Sequence, residues 1–348
     1  MAKDRAYYEA DDEIKEAQYL GEKEIDLSGR GLTEIPESLK QFKQLKSLNL
    51  SNNQLTALPD SLGLLTQLTE LNLSSNQLTA LPDSLGLLTR LIKLDLYNNQ
   101  LSVLPESFIR LVFLANLRLG NNKFSEVPIQ IRQLRNLSTL HLHENLIQFI
   151  PEWLEELKSL TKLTLDSNPL ANLPDTIGKL QNLEQLCLGF MGKGIQIREL
   201  PEWFTVMTQL KSLQISGCSL AKLPDWIDVL KNLEGLFLDG NQLVQLPDSI
   251  GNIHKLKIIE AQNNKLTDLP ASLAQLEHLE KLRLEKNPLN PALQSAYEQG
   301  LDAVMTYLRA QAESGEIVLN EAKLILVGEG GVGKTSLLAA LRGDDFKF

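Results

Sequence analysis

The feature that most constrains this chain is an apolar frame that returns about every 23 residues. Its clearest copy, at residues 45–59, reads LKSLNLSNNQLTALP, and copies run from near Ile25 to near Leu289. A repeat of this length indicates stacked units, because no single unit can bury its own apolar face. We therefore expect one elongated solenoid, although 348 residues could hold two or three ordinary domains.

The frame LxxLxLxxNxLxxLP is similar to that of leucine-rich repeats. The resemblance implies an α/β horseshoe with parallel strands on its concave face. Each unit would be a short strand, a tight turn with an inward Asn, and an irregular or 3₁₀-like return. We place about twelve units in residues 22–290.

The inward Asn is predicted to form a buried ladder. Units two to seven carry it at a constant spacing of 23 residues, as Asn53, Asn76, Asn99, Asn122, Asn145 and Asn168. A buried Asn can accept from one backbone N–H and donate to carbonyls of its own and the adjacent unit. A Pro follows each unit's last apolar position and fixes φ on the return leg.

Three units depart from the frame. The first has Arg30 in place of Asn, and the ninth has Cys218 there. The eighth unit, near 183–209, spans 27 residues instead of 23, and its extra residues lie within Gly189–Ile197. Insertions in repeat arrays map to loops, so we expect a loop in this unit.

Both ends of the array are expected to carry caps, because terminal units need a polar outer surface. Residues 1–21 are predicted to form an amphipathic helix with Tyr8, Ile14, Ala17 and Leu20 on one face; the alternative is a frayed tail. Residues 291–312 are predicted to form one helix, started by Asn290 as N-cap and Pro291 at its first position.

Composition narrows the class of protein. A net charge of −10 and a pI near 5.1 leave no basic footprint for nucleic acid or an anionic membrane. Two unclustered cysteines, Cys187 and Cys218, indicate a reducing compartment, and the charged amino terminus is no signal peptide. We expect a soluble cytoplasmic protein without a membrane span.

A protein-binding site is predicted on the concave face. From unit four to unit ten, this face gains aromatic and basic side chains, the types that anchor interfaces. They are Tyr97, Arg118, His141, His143, Lys162, Phe190 and Phe237. The alternative is scattered surface variety without a partner.

Two of the four histidines, His141 and His143, flank Leu142, and Asp166 lies one strand further along. These residues suggest a metal site. However, no third and fourth ligand follow at a defined spacing, so a solvated histidine pair is the preferred interpretation. The repeats show no nucleophile–base pair, and no catalytic residue is assigned.

A different pattern begins after residue 312. KLILV, at 323–327, is predicted to be a buried strand, and GEGGVGKT, at 328–335, matches GxxxxGK[ST] with a helix after it. The backbone of such a loop cradles phosphates. The predicted nucleotide-binding residues are Gly328, Glu329, Gly330, Gly331, Val332, Gly333, Lys334, Thr335 and Ser336. Lys334 would reach the β and γ phosphates, and Thr335 would ligate Mg²⁺.

Repeats of the LPDSLGLL type, then NPLNPALQSAYEQGLDAVMTYLRAQ, then NEAKLILVGEGGVGKTSL resemble Roco proteins, especially bacterial ones. The resemblance implies that residues 313–348 begin a Ras-like GTPase domain, Roc, which binds GTP or GDP with Mg²⁺ and precedes a dimerising COR domain. The repeats would then bind a protein partner or their own Roc and COR domains and regulate GTP turnover.

Only 13 residues follow Thr335, so we expect this chain alone to bind nucleotide poorly and to hydrolyse none. GTPase activity and dimerisation are expected of the intact parent. Two alternatives stay open: that GTP binding and hydrolysis are themselves the parent's main function, and that the chain is a free-standing intracellular repeat scaffold.

Overall fold

The computed structural model describes residues 5–190 and 193–314. Three α-helices lie at the two ends of this part: α1 (Arg5–Leu20), α2 (Pro291–Gln299) and α3 (Leu301–Ser314). Between α1 and α2, short strands alternate with short 3₁₀ helices. The strands are β1 (Glu24–Asp26), β2 (Ser47–Asn49), β3 (Glu70–Asn72), β4 (Lys93–Asp95), β5 (Asn116–Arg118), β6 (Thr139–His141), β7 (Lys162–Thr164), β8 (Gln185–Phe190), β9 (Lys193–Gly194), β10 (Ser212–Ile215), β11 (Gly235–Phe237), β12 (Ile258–Glu260) and β13 (Lys281–Arg283).

One sheet contains all of these strands. Twelve of them pair in parallel and in chain order, from β1 to β8 and then from β10 to β13, while β9 pairs only with β8. The repeat fixes the register, because each strand's central apolar residue lies opposite the one 23 residues later, as with Leu48 and Leu71. The predicted solenoid with parallel strands is confirmed.

The return legs are 3₁₀ helices that each begin directly after a proline. The Pro59 carbonyl, for example, accepts the N–H of Leu62 at 3.0 Å. Since these prolines hold φ between −58° and −73°, they set the extended entry to each helix. The helices are Glu37–Gln41, Asp60–Leu64, Asp83–Leu87, Glu106–Arg110, Ile129–Gln133, Glu152–Glu156, Asp175–Lys179, Glu202–Val206, Asp225–Val229, Asp248–Asn252 and Ala271–Gln275.

The Asn ladder forms as predicted. The amide oxygen of Asn122 accepts the Leu101 N–H at 3.0 Å, and its nitrogen donates to the carbonyl oxygens of Leu96 and Leu119 at 2.9 and 3.2 Å. The same contacts recur at the other ladder positions from Asn53 to Asn287. Each Asn therefore joins its own turn to the preceding unit with bonds that only a buried amide supplies.

The amino-terminal helix packs with a different face from the predicted one. Tyr8 and Leu20 are exposed, whereas Tyr7, Ala10, Ile14 and Ala17 are buried. This set follows the i, i+3, i+7, i+10 spacing of one helical face, which Tyr8 breaks. The Tyr7 hydroxyl also accepts the Glu37 N–H at 3.1 Å, which ties α1 to the first 3₁₀ helix.

Arg30 belongs to this end contact too. Its guanidinium pairs with Glu13 of α1, with 2.7 Å between Nη2 and Oε2. The first unit has no preceding unit to join, so an inward amide has nothing to bond there. Asn53 of the second unit accepts the Leu32 N–H, which satisfies the first unit's turn.

At the carboxyl end, the prediction of one helix over 291–312 is wrong. The chain breaks at Gly300, whose φ of 109° and ψ of 179° lie outside the range of other residues. The predicted N-cap is confirmed, since the Asn290 side chain accepts the Leu293 N–H at 2.9 Å. The bend lets both α2 and α3 bury apolar residues, among them Leu293 and Leu308.

The insertion in the eighth unit is a β-hairpin rather than an irregular loop. Strand β8 extends to Phe190, and β9 returns antiparallel to it, with Gly189 opposite Gly194. The extra residues therefore continue the sheet's own hydrogen bonding. The predicted P-loop residues 328–336 lie outside the described residues.

Candidate functional site

The concave face of the sheet carries the predicted partner-binding residues. Side chains on it come from alternate positions of each strand, because the intervening leucines point into the core. The face has two adjoining hollows, of about 490 Å³ over strands β2 to β7 and about 340 Å³ over β6 to β10. His141 and Lys162 line both, so they lie at the boundary between them.

The structure brings five of the seven predicted residues together. Tyr97, His141, His143, Lys162 and Phe190 all line the smaller hollow. Arg118 lines the larger one beside them. Phe237 lies on β11, is half-buried, and lines neither hollow.

The prediction of a solvated histidine pair is wrong for His141. Its side chain is only 8% exposed, and its Nδ1 lies 3.2 Å from the Thr164 hydroxyl, which is 3.0 Å from Nδ1 of His143 as well. Burial, with Lys162 and Arg118 nearby, lowers the pKa of His141 to about 3. This imidazole is therefore a neutral hydrogen-bonding group at physiological pH.

His143 is positioned by a residue that the sequence gave no reason to single out. A Cβ on Gly120 would lie 2.5 Å from Cε1 of His143, so the absence of a side chain there lets the ring lie across the strand. In this position, the ring centroids of His143 and Tyr97 are 5.6 Å apart. Gly120 thus makes room for an aromatic wall built from two units.

The floor of the smaller hollow contains a second polar pair. The Cys187 thiol donates to Oδ1 of Asp166 at 3.2 Å. Burial raises the pKa of Asp166 and raises that of Cys187. Both groups are therefore held partly or wholly protonated, and the thiol has none of the thiolate character that makes a cysteine nucleophilic.

Charges on this face are mostly paired across neighbouring strands. Lys93 Nζ lies 2.7 Å from Oε1 of Glu70, and Arg118 Nη1 lies 3.1 Å from Oδ2 of Asp95. Lys162 has no ion-pair partner among the described residues. The boundary between the two hollows is therefore cationic.

The described residues contain no cluster of three or more His, Cys, Asp or Glu side chains able to hold a metal ion. Cys187 and Cys218 are both free thiols. Cys218 occupies the Asn position of its unit, where its sulfur lies 3.8 Å from the carbonyl oxygens of Leu188 and Ser216. In the same part of the chain, no helix is both long and apolar enough to cross a bilayer.

Comparison with known families identifies the repeats. The Leucine rich repeat family profile matches residues 23–78, 66–124 and 114–170. The matches together span residues 23–170, which is less than half of the chain. No curated protein matches the chain.

Solved structures share the fold over most of the chain. An LRR protein from Leptospira interrogans has 28% identity and a TM-score of 0.53, over 83% of this chain and 97% of that chain. An internalin from Listeria monocytogenes has 21% identity and a TM-score of 0.65, over 82% and 90%. The PEPR1–AtPEP1 structure has 27% identity and a TM-score of 0.55, over 74% and 40%.

Proposed function

Because this chain is a leucine-rich-repeat protein, we propose that it is an interaction module that binds a protein partner on its concave face. Proteins of this architecture generally use that face for recognition. The bound segment is centred on strands β4 to β8 and contacts the hairpin of the eighth unit. The observation that carries the proposal is the smaller hollow, where Tyr97, His143 and Phe190 converge.

The chemistry of this hollow fits an anchor site for a polypeptide. Phe190 is 45% exposed although it is a large apolar residue, so covering it releases water and stabilises a complex. Tyr97 and His143 add aromatic surface with little conformational freedom to lose. A hollow of about 340 Å³ has the volume of a few side chains rather than of a large cofactor.

A displayed library of random peptides, selected on the whole chain, tests this proposal. We expect a selected peptide to bind about tenfold more weakly to Tyr97→Ala and Phe190→Ala, since anchor residues contribute more than about 1 kcal/mol each. Phe149→Ala is the matched control, because Phe149 is 63% exposed but lines neither hollow.

A wider alanine scan locates the site. Substitutions at the seven predicted residues should weaken binding more than substitutions at Asn49, Ser51, Asn72 and Ser74 of the early units. Within the seven, Phe237→Ala is expected to have the smallest effect, because Phe237 lines neither hollow. Equal losses across both groups would contradict the placement.

We also propose that these repeats serve a Roco-type GTP-binding protein, whose Roc and COR domains are candidate intramolecular partners. The motif GEGGVGKT supports this proposal, with Lys334 on the phosphates and Thr335 on Mg²⁺. In the full-length gene product, a fluorescent GTP analogue should bind tightly, and Lys334→Ala should weaken its binding at least about tenfold. Binding that ignores Lys334, or no binding, contradicts this proposal and leaves the concave-face proposal intact.

A cytoplasmic location is part of the same proposal. Two free thiols, one of them buried, support it because a reducing compartment keeps thiols unpaired. Fractionation of cells that express the tagged full-length protein tests it. Recovery outside the cytoplasm would contradict it.

A further inference from the structure

Lys162 differs from comparable lysines on this sheet. Lys93 pairs with Glu70 one strand away, and Lys281 pairs with Glu260. Lys162 begins β7 in the same way that Lys93 begins β4 and Lys281 begins β13. Among the described residues, it has neither an ion pair nor a side-chain hydrogen bond of its own.

The register explains why no acid reaches it. Lys162 lies opposite Thr139 on β6 and Gln185 on β8, which are both neutral. By contrast, Lys93 lies opposite Glu70 itself. The two neighbours of Lys162 can donate hydrogen bonds through a hydroxyl and an amide, so the row offers three donors side by side and no carboxylate.

Other charges divide the hollow into two ends. Arg118 lies next to the Lys162 end, and the buried His141 adds no negative charge there. Asp166 and Glu144 line the other end of the smaller hollow. Lys162 and Asp166 are four residues apart, or about 13 Å along an extended chain, so the cationic end stays separate from the acidic one.

A half-buried ammonium without a counter-ion is costly, and a ligand carboxylate that approaches it gains a charge-assisted hydrogen bond. The aromatic groups at Tyr97 and Phe190 line the same hollow. A single segment of polypeptide can therefore contact both.

We infer that the partner segment carries an Asp or Glu side chain that binds Lys162, close in sequence to an aromatic or large aliphatic side chain that packs between Tyr97 and Phe190. This inference rests on the proposed concave-face function and specifies the partner's chemistry. It assigns the choice of partner to Lys162 and the anchoring to the aromatic residues.

The first test selects a displayed library of random peptides on the whole wild-type chain and on Lys162→Glu. We expect peptides selected on the wild type to be enriched in Asp or Glu next to an aromatic or aliphatic residue. On Lys162→Glu, the same position should change to Lys or Arg, with the apolar residue kept. Equal acidic enrichment on both proteins would overturn the inference.

The second test measures one selected synthetic peptide by fluorescence polarisation. Lys162→Gln should weaken binding about tenfold, and so should replacement of the peptide's acid by its amide. Together, the two changes should weaken binding by little more than either alone, because they remove the same contact. Lys257→Gln is the control, since Lys257 is comparably exposed, pairs with Glu234, and lines neither hollow.

The outcomes separate this inference from the function beneath it. If binding needs Tyr97 and Phe190 but ignores Lys162 and the peptide's acid, the inference fails and the concave-face function stands. If the changes at Tyr97, Phe190 and Lys162 all leave peptide binding unaltered, or no peptide is selected, both fail. Circular dichroism and thermal melting of each variant, expected to match the wild type, exclude a loss caused by misfolding.

Discussion

At the scale of single residues, amides and one imidazole decide how the repeats join. Each ladder Asn satisfies backbone groups in its own turn and in the preceding unit, where no water reaches them. A substitution therefore leaves several buried groups without partners at once. The cost of such a loss exceeds the net gain of any one hydrogen bond.

Asn122→Ala is expected to lower the free energy of unfolding by about 3 kcal/mol, because the Leu101 N–H and two or more carbonyls lose their partner. Urea unfolding followed by circular dichroism measures it. Asn136→Ala is the control, since the Asn136 amide makes a single exposed bond to the Val112 carbonyl. Similar losses in the two variants would contradict the role of the ladder.

His141 gives the protein a predictable response to acid. Its pKa falls from 6.5 in the unfolded chain to about 3 in the fold, so the unfolded state binds more protons in between. Stability should therefore decrease as the pH falls through this window, by about 1–2 kcal/mol between pH 7 and pH 5. Urea unfolding at both pH values should show that His141→Gln loses this part of the pH dependence.

His254→Gln, at an exposed histidine, is the control for that comparison. It should keep the wild-type pH dependence. A wild-type slope in His141→Gln would mean that other groups cause the acid response. Asp166, whose pKa is raised by burial, acts in the opposite direction and is present in both variants.

At the scale of elements, local breaks in the pattern determine the caps and the hairpin. Gly300 separates α2 from α3 and lets each bury its own apolar face at the end of the array. The Tyr297 hydroxyl then accepts the Leu284 N–H at 3.0 Å, beside the last strand. The bend therefore positions the residues that cover the last unit.

Gly300→Ala is expected to destabilise this cap by about 2 kcal/mol, because a side chain is strained at its φ of 109°. Hydrogen exchange should show faster exchange in α2 and α3 than in the middle strands. Gln299→Ala, at an exposed neighbour, should leave exchange in the cap near the wild-type rate. Unchanged protection in Gly300→Ala would mean that the cap accepts a continuous helix.

The sequence predicts features that depend on the repeat and misses those that depend on neighbours. Leu48 and Asn53 could be assigned because their spacing recurs twelve or nearly twelve times. Alternation correctly places His141 on the concave side, but its burial depends on the side chains of adjoining strands. Gly300 was missed because the apolar spacing on both of its sides continues as one helix.

At the scale of the whole molecule, stability is a sum of similar units and of the contacts between neighbours. The early units are nearly interchangeable, since SLGLLT occurs both at 61–66 and at 84–89. The apolar core continues from Ala10 to Leu308 without a gap between units. Removal of one whole unit should therefore leave the remaining contacts intact.

Deletion of residues 67–89 joins Thr66 to Arg90 and removes one repeat of 23 residues. We expect a folded protein with a cooperative melt and a Tm lower by about 5 °C. Deletion of residues 67–78 is the control, because half a repeat brings unlike positions together and should prevent folding of the array. Circular dichroism and size-exclusion chromatography distinguish the two results.

The ladder of amides is interrupted once within the described repeats. Asn168 and Asn241 are the rungs on either side, and between them lie the hairpin of the eighth unit and Cys218, whose thiol makes only long contacts. A thiol joins adjacent turns less firmly than an amide does. Under mechanical load or mild denaturant, the array should therefore part first at this seam, so its two halves would behave as separately melting blocks that meet beside the hollow.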